Sequence, residues 1–190
     1  MTGDARPRKA ADLSPEERFA YSARHIYYEV LMLRNAIARQ QPADPFIETW
    51  LMEICVLHAR NLIEFLFHKA DRTTLGYDLY LEPGFAWSPP EMSPAINRIK
   101  FRGDKQVAHL TTSRQTEEVP EEPYDRAPFL DLLSIFDSFV EDASPRLLDK
   151  DVLRGRRQSG IVVQGTDGMH SNTVSQTFVI RSRDLPTDLP

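Results

Sequence analysis

A single cysteine in 190 residues, Cys55, excludes an internal disulfide framework, and its apolar neighbours mark it as packing rather than a nucleophile. No stretch reaches the roughly 18 consecutive apolar residues that a membrane-spanning helix requires. The opening MTGDARPRKAADLS has no apolar core of the secretory-leader type. These absences predict a reducing, cytoplasmic setting with no membrane partner. CxxC pairs, HExxH, phosphate-cradling glycine loops and nucleophile elbows are also missing, so nothing calls for a cofactor or ATP. Excess cation is lacking too. The net charge is −5, and residues 1–143 hold 16 Lys and Arg against 23 Asp and Glu, net −7, which leaves +2 for residues 144–190. An acidic body excludes bulk phosphate binding, so any RNA site has to be local.

What is present is helical periodicity. Ser14-Pro15-Glu16-Glu17 reads as a capping box with proline at the first helical position. Phe19, Ala23, Ile26, Val30, Leu33 and Ile37 then recur at spacings of four and three, an amphipathic helix ending near Pro42. Asp44-Pro45 starts a second helix running to about residue 71. Ile47, Trp50, Leu51, Ile54, Leu57 and Phe65 share its main face, and apolar residues on its other sides predict a central position. Residues 72–92 break the periodicity, and Tyr77, Tyr80, Phe85 and Trp87 predict an ordered, packed loop. A third helix begins at Ser93-Pro94 with Ile96, Ile99, Gly103, Val107 and Leu110 on one side, and Asp104 offers a cap for a restart. After a Pro- and Glu-rich loop, a fourth helix from about Pro128 to Ala143 aligns Phe129, Leu132, Leu133, Phe136, Val140 and Ala143.

The expected fold is therefore all-α, a four-helix bundle with a long loop between helices two and three. A flexible N-terminus occupies residues 1–13, the bundle residues 14–143, and a partly disordered extension residues 144–190. Within that extension, residues 161–163 and 177–180 have the composition of a short β-hairpin.

Two stretches carry candidate chemistry. In HARNLIEFLFH, residues 58–68, a helical wheel puts His58, Asn61, Phe65 and His68 on the inward face. Arg60 and Glu64, four apart on its flank, are placed to pair with each other. Buried polar groups need hydrogen-bond partners, so this cluster is held by other helices or by a ligand. On the third helix Arg98, Arg102, Lys105 and His109 fall at i, i+4, i+7 and i+11, a cationic stripe ending in a histidine. In that geometry Arg102 holds a phosphate, with Arg98 and Lys105 beside it, while His109 exchanges a proton with a neighbouring hydroxyl. A metal reading rests on His25 and Glu29, four apart, facing Glu64 and His68, with Asp71 beyond; the paired Glu-x-x-His of di-iron bundles is absent.

The segment Arg102-GDKQVA-His109, in an all-α chain, resembles the HEPN superfamily, whose active members carry an arginine followed by a histidine after four to six residues. The segments from Arg60 to Phe65 and from Lys105 to Thr111 are similar to ARN-L-x-F and K-x-V-A-H-L-T in small bacterial helical proteins. The resemblance spans about residues 14–143. It implies a metal-independent RNase of a toxin–antitoxin or defence type, with Arg102 at the scissile phosphate, His109 in proton transfer, and two protomers forming a composite site. Gly103 stands where the family commonly has Asn, Asp or His, and Arg60-Asn61 is separated from His68 by seven residues, outside the family spacing. The alternative is a catalytically silent interaction module. There the polar cluster is structural, and the extension with Arg154, Arg156 and Arg157 engages a cognate protein.

Overall fold

The structure is a computed structural model that describes residues 9–39, 45–85, 87–107 and 125–155, and within these it is all-α. Helix α1 (Pro15–Tyr21) opens on the expected capping box: Ser14 accepts from the Glu17 amide, and the Glu17 carboxylate accepts from the Ser14 amide. The helix continues through a π-helical turn, Ser22–Ile26, into α2 (Tyr27–Arg39), so one rod spans the first periodic segment. Helix α3 spans Pro45–Phe67, α4 Pro94–Arg102, α5 Ala127–Asp142 and α6 Lys150–Leu153. Among the described residues no helix is long and apolar enough to cross a membrane.

Helix α3 is central, packing against α2, α4 and α5. Its buried face is Met52, Cys55, Val56, Ala59, Leu62, Ile63 and Leu66, joined by Phe65. Small residues at Cys55 and Ala59 let neighbouring backbones approach. The expected main face is therefore rotated: Ile47, Trp50 and Leu57 are exposed, with Leu51 and Ile54 half-buried. A helix apolar on most sides leaves its inward face undetermined by periodicity alone. The other helices bury most of the residues their spacing marks, namely Ile26, Val30, Leu33 and Ile37, then Ile96 and Ile99, then Phe129, Leu132, Leu133, Phe136 and Val140; Phe19 and Ala23 are half-buried, and Leu110 and the Val107 side chain lie outside what is described.

Helix α3 stops at Phe67, before the expected residue 71, where the chain turns back on itself. Gly76 packs against the backbone of residues 68–70 so closely that a Cβ there would collide with it. Tyr77, Tyr80 and Trp87 of the following loop are buried, as their composition suggests, whereas Phe85 is exposed. Ser93 caps α4 by accepting from the Ile96 amide, with Pro94 at the first position.

Packing continues past residue 143. Leu147, Leu148 and Leu153 join the core, and the buried Asp149 caps α6 by accepting from the Val152 amide. The Asp149 amide in turn donates to the buried hydroxyl of Ser22 in the first π turn. The proposed hairpin segments lie outside the described residues.

Candidate functional site

Glu29 on α2 and His58 on α3 meet where those two helices pack together. The Nδ1–H of His58 donates to Oε2 of Glu29 at 2.7 Å, and since a carboxylate only accepts, this contact places the proton on Nδ1. The same oxygen accepts from Nδ2 of Asn61 at 3.1 Å. Asn61 Oδ1 accepts from Nη1 of Arg60 at 3.2 Å, and Nε of Arg60 donates to Oδ1 of Asp104 at 2.6 Å. Asp104 Oδ2 takes Lys100 Nζ at 2.8 Å, and Lys100 also lies 3.3 Å from Oε2 of Glu64. Oε2 of Glu64 is shielded from solvent, and the Lys100 ammonium is the cation that faces it. One chain of polar contacts thus runs from α2 through α3 to the end of α4.

Local backbone geometry makes this possible. Past Arg102 the chain does not restart as a new helix capped by Asp104; it continues as a π-helical segment, Gly103–Val107. The wider turn carries Asp104 round to Arg60. π-helical turns of this kind are uncommon and recur at functional sites. Gly103 is buried against Arg60, and a Cβ there would lie 2.6 Å from Cβ and 2.7 Å from Cγ of that arginine.

Arg60 turns to Asp104 rather than pairing with Glu64 as its spacing suggested, because Asp104 offers a carboxylate across the helix interface. His68 is exposed rather than inward, 3.8 Å from Glu64 and just past the end of α3. Burial pushes the Asp104 carboxyl up, but hydrogen bonds from Lys100 and Arg60 outweigh it and hold it below its ordinary value. The hydrogen bond to Asp104 raises Lys100. Burial pushes the Cys55 thiol up to about 12, which fits its reading as packing.

Beside this network lies a cavity of about 340 Å³. Its walls come from the first π turn and its flanks (Tyr21, His25, Glu29), from α3 (Arg60, Asn61, Glu64, Phe65) and from the loop of Thr73, Thr74 and Leu75. The Tyr21 and His25 rings sit 4.4 Å apart. Burial, then the charge of Glu29, pushes the Tyr21 hydroxyl up. Asp71 orders the loop by accepting from the Thr73 and Thr74 amides.

Of the residues singled out in the sequence, His58, Arg60, Asn61 and Glu64 are brought together. Arg98 and Lys105 are exposed and Arg102 is half-buried, none of them in the cavity wall, and His109 lies outside the described residues. His25, Glu29 and Glu64 share the cavity wall, with His68 near Glu64, but among the described residues no three His, Cys, Asp or Glu are grouped to hold a metal ion. Lys100 was missed, although its spacing of four from Asp104 is an ordinary ion-pair signal. No family model matches the chain, and no match is found among the curated proteins or the solved structures.

Proposed function

We propose that the chain is a HEPN-like four-helix bundle, its helices supplied by the α1–α2 rod, α3, α4 and α5, that binds RNA and cleaves it without a metal. Arg102 holds the scissile phosphate, His109 transfers the proton, and the exposed Arg98 and Lys105 guide the strand from α4 and the π-helical segment that continues it. A second copy of the chain completes the site. The observation that carries this reading is the clamp of α4 on α3: the Arg60–Asp104–Lys100 contacts brace both sides of Arg102 along the chain. A phosphate-binding arginine needs such bracing, because positioning contributes as much to catalysis as charge does. The reading is tested by incubating end-labelled RNA with the purified protein in EDTA beside Arg102→Ala and His109→Ala. Cleavage by the parent protein that both substitutions abolish is the expected result; equal background from all three overturns the reading.

A second reading, a silent interaction module, draws on the internal pairing of the network. Glu29 is bound to His58 and Asn61, Arg60 to Asp104, and Lys100 to Asp104, as expected of a structural lock. Its basic extension is partly engaged already, since Arg154 pairs with Glu141. On that reading the internally paired lock survives in a protein that cuts nothing, and a cognate protein binds through the residues beyond Gly155.

A further inference from the structure

Glu29 and Glu64 both line the cavity, and the contacts of each carboxylate fall on one oxygen, Oε2. Oε2 of Glu29 is occupied by His58 and Asn61, and Oε2 of Glu64 lies against Lys100. Oε1 of each is the acceptor those contacts do not use. Arg60 uses Nε and Nη1 within the network, which leaves Nη2 of its planar fork as a further donor. Tyr21, His25 and Phe65 supply flat aromatic wall. The cavity is thus acceptor-rich, aromatic and bordered by one guanidinium, at the lower end of the roughly 300–1,000 Å³ that small-ligand sites span.

That set of groups is selective. Two carboxylates repel a phosphate, so an anionic ligand enters only by a neutral end. A ring that stacks on an outer face of the Tyr21–His25 pair while offering donors to a carboxylate fits that end. Among the nucleobases, guanine alone presents two adjacent N–H donors, N1–H and the N2 amino group, with the O6 acceptor beside them for an arginine. Adenine and cytosine set a ring-nitrogen lone pair next to their amino group, and uracil sets carbonyls on both sides of its N–H. Each would point a lone pair at a carboxylate.

We propose that this cavity binds a guanine base, with Glu64 and Glu29 accepting from its Watson–Crick edge, Arg60 donating to O6, and an outer face of the Tyr21–His25 ring pair stacking on the base. The inference rests on the RNA-binding reading above and supplies its sequence preference: the base of an unstacked strand enters past Thr73 and Thr74, and its phosphate stays at the rim. Single-stranded RNA is ordinarily read this way, by splaying a base onto an aromatic surface and bonding its edge. The network links the two sites, because Arg60, in the cavity wall, is bonded to Asp104, two residues beyond Arg102.

Titration of the full chain with guanosine, adenosine, cytidine and uridine, followed by calorimetry, tests it. Guanosine should bind saturably and the other three about tenfold or more weaker, the discrimination expected of a bidentate base contact. Glu64→Gln, which keeps the shape but replaces an acceptor with a donor, should weaken guanosine binding by about tenfold or more. Thr73→Tyr, at an exposed position on the rim, should block entry without touching the polar network, and covers the case in which the Glu64 variant does not fold. Equal affinity for all four nucleosides, no saturable guanosine binding, or guanosine binding unchanged in Thr73→Tyr overturns the proposal. Guanosine binding that both variants lose supports it even where RNA in EDTA is left uncut, an outcome that removes the nuclease reading alone. Cleavage without guanosine binding removes the guanine site alone.

Discussion

Gly103 lies against the aliphatic stem of Arg60 with no room for a β-carbon, and this approach holds the end of α4 on α3. Gly103 has ordinary right-handed helical angles, φ −57° and ψ −45°, so its backbone does not demand glycine. In an exposed helix, Gly→Ala would stabilise by about 1 kcal/mol. Here the added methyl meets Cβ and Cγ of Arg60, atoms too near the backbone to swing away. Gly103→Ala is expected to destabilise the protein by about 1–3 kcal/mol, the usual cost of overpacking. Urea denaturation measures it, and a stabilised variant would show that the two helices are not in contact at this point.

Asp104 should give the stability profile an acid-side signature. Its folded pKa lies below the ordinary value of about 3.9. A lowered folded pKa means that the ionised carboxylate stabilises the fold above the unfolded pKa, and that this contribution disappears as pH falls through the folded pKa. Asp104→Asn should therefore cost roughly 1–2 kcal/mol at neutral pH, the usual range for a partly buried, charge-assisted contact. The gap between variant and parent should close as pH drops below about 4. Lys100, whose pKa is raised, works in the opposite direction: its contribution is full below about 10.4 and is lost as pH rises through the folded value. Denaturation midpoints at pH 3, 5, 7 and 9 for the two proteins check the acid side; a gap that stays constant down to pH 3 would mean that the Arg60 and Lys100 contacts do not form in solution.

Helix starts at Ser14 and Ser93 were legible because a cap and an N1 proline are local signals, independent of the rest of the fold. His58, Arg60, Asn61 and Glu64 also stood out, since polar groups in an apolar helix must find partners. Which partners they find was not legible. Asp104 read as a cap because Gly103 read as a break, and a π-helical turn leaves no mark in apolar spacing that separates it from a kink. Glu29 was visible only as a neighbour of His25, because a contact across 29 residues with His58 depends on how two helices cross. The face of α3 failed for a different reason. The small Cys55 and Ala59 line its inner face while the larger Trp50 lies outside, so residue size pointed the wrong way where close backbone approach decided the packing.

The two tryptophans make that rotated face measurable. Trp50 is 60% exposed on α3, whereas Trp87 is 9% exposed and stacks edge-on with Tyr77 and Phe139. Indole emission shifts to longer wavelength in water, and iodide quenches only an accessible ring. Trp50→Phe should therefore remove the quenchable, red-shifted component and leave a blue-shifted band from Trp87. Because Trp50 contributes little to the core, Trp50→Ala should change stability by no more than about 0.5 kcal/mol, the usual limit for surface positions. Phe136→Ala, at a fully buried position, should cost about 3–5 kcal/mol. If the Trp50 component resists iodide while Trp50→Ala unfolds the chain, the original wheel is right, and α3 presents Ile47, Trp50 and Leu57 to the core.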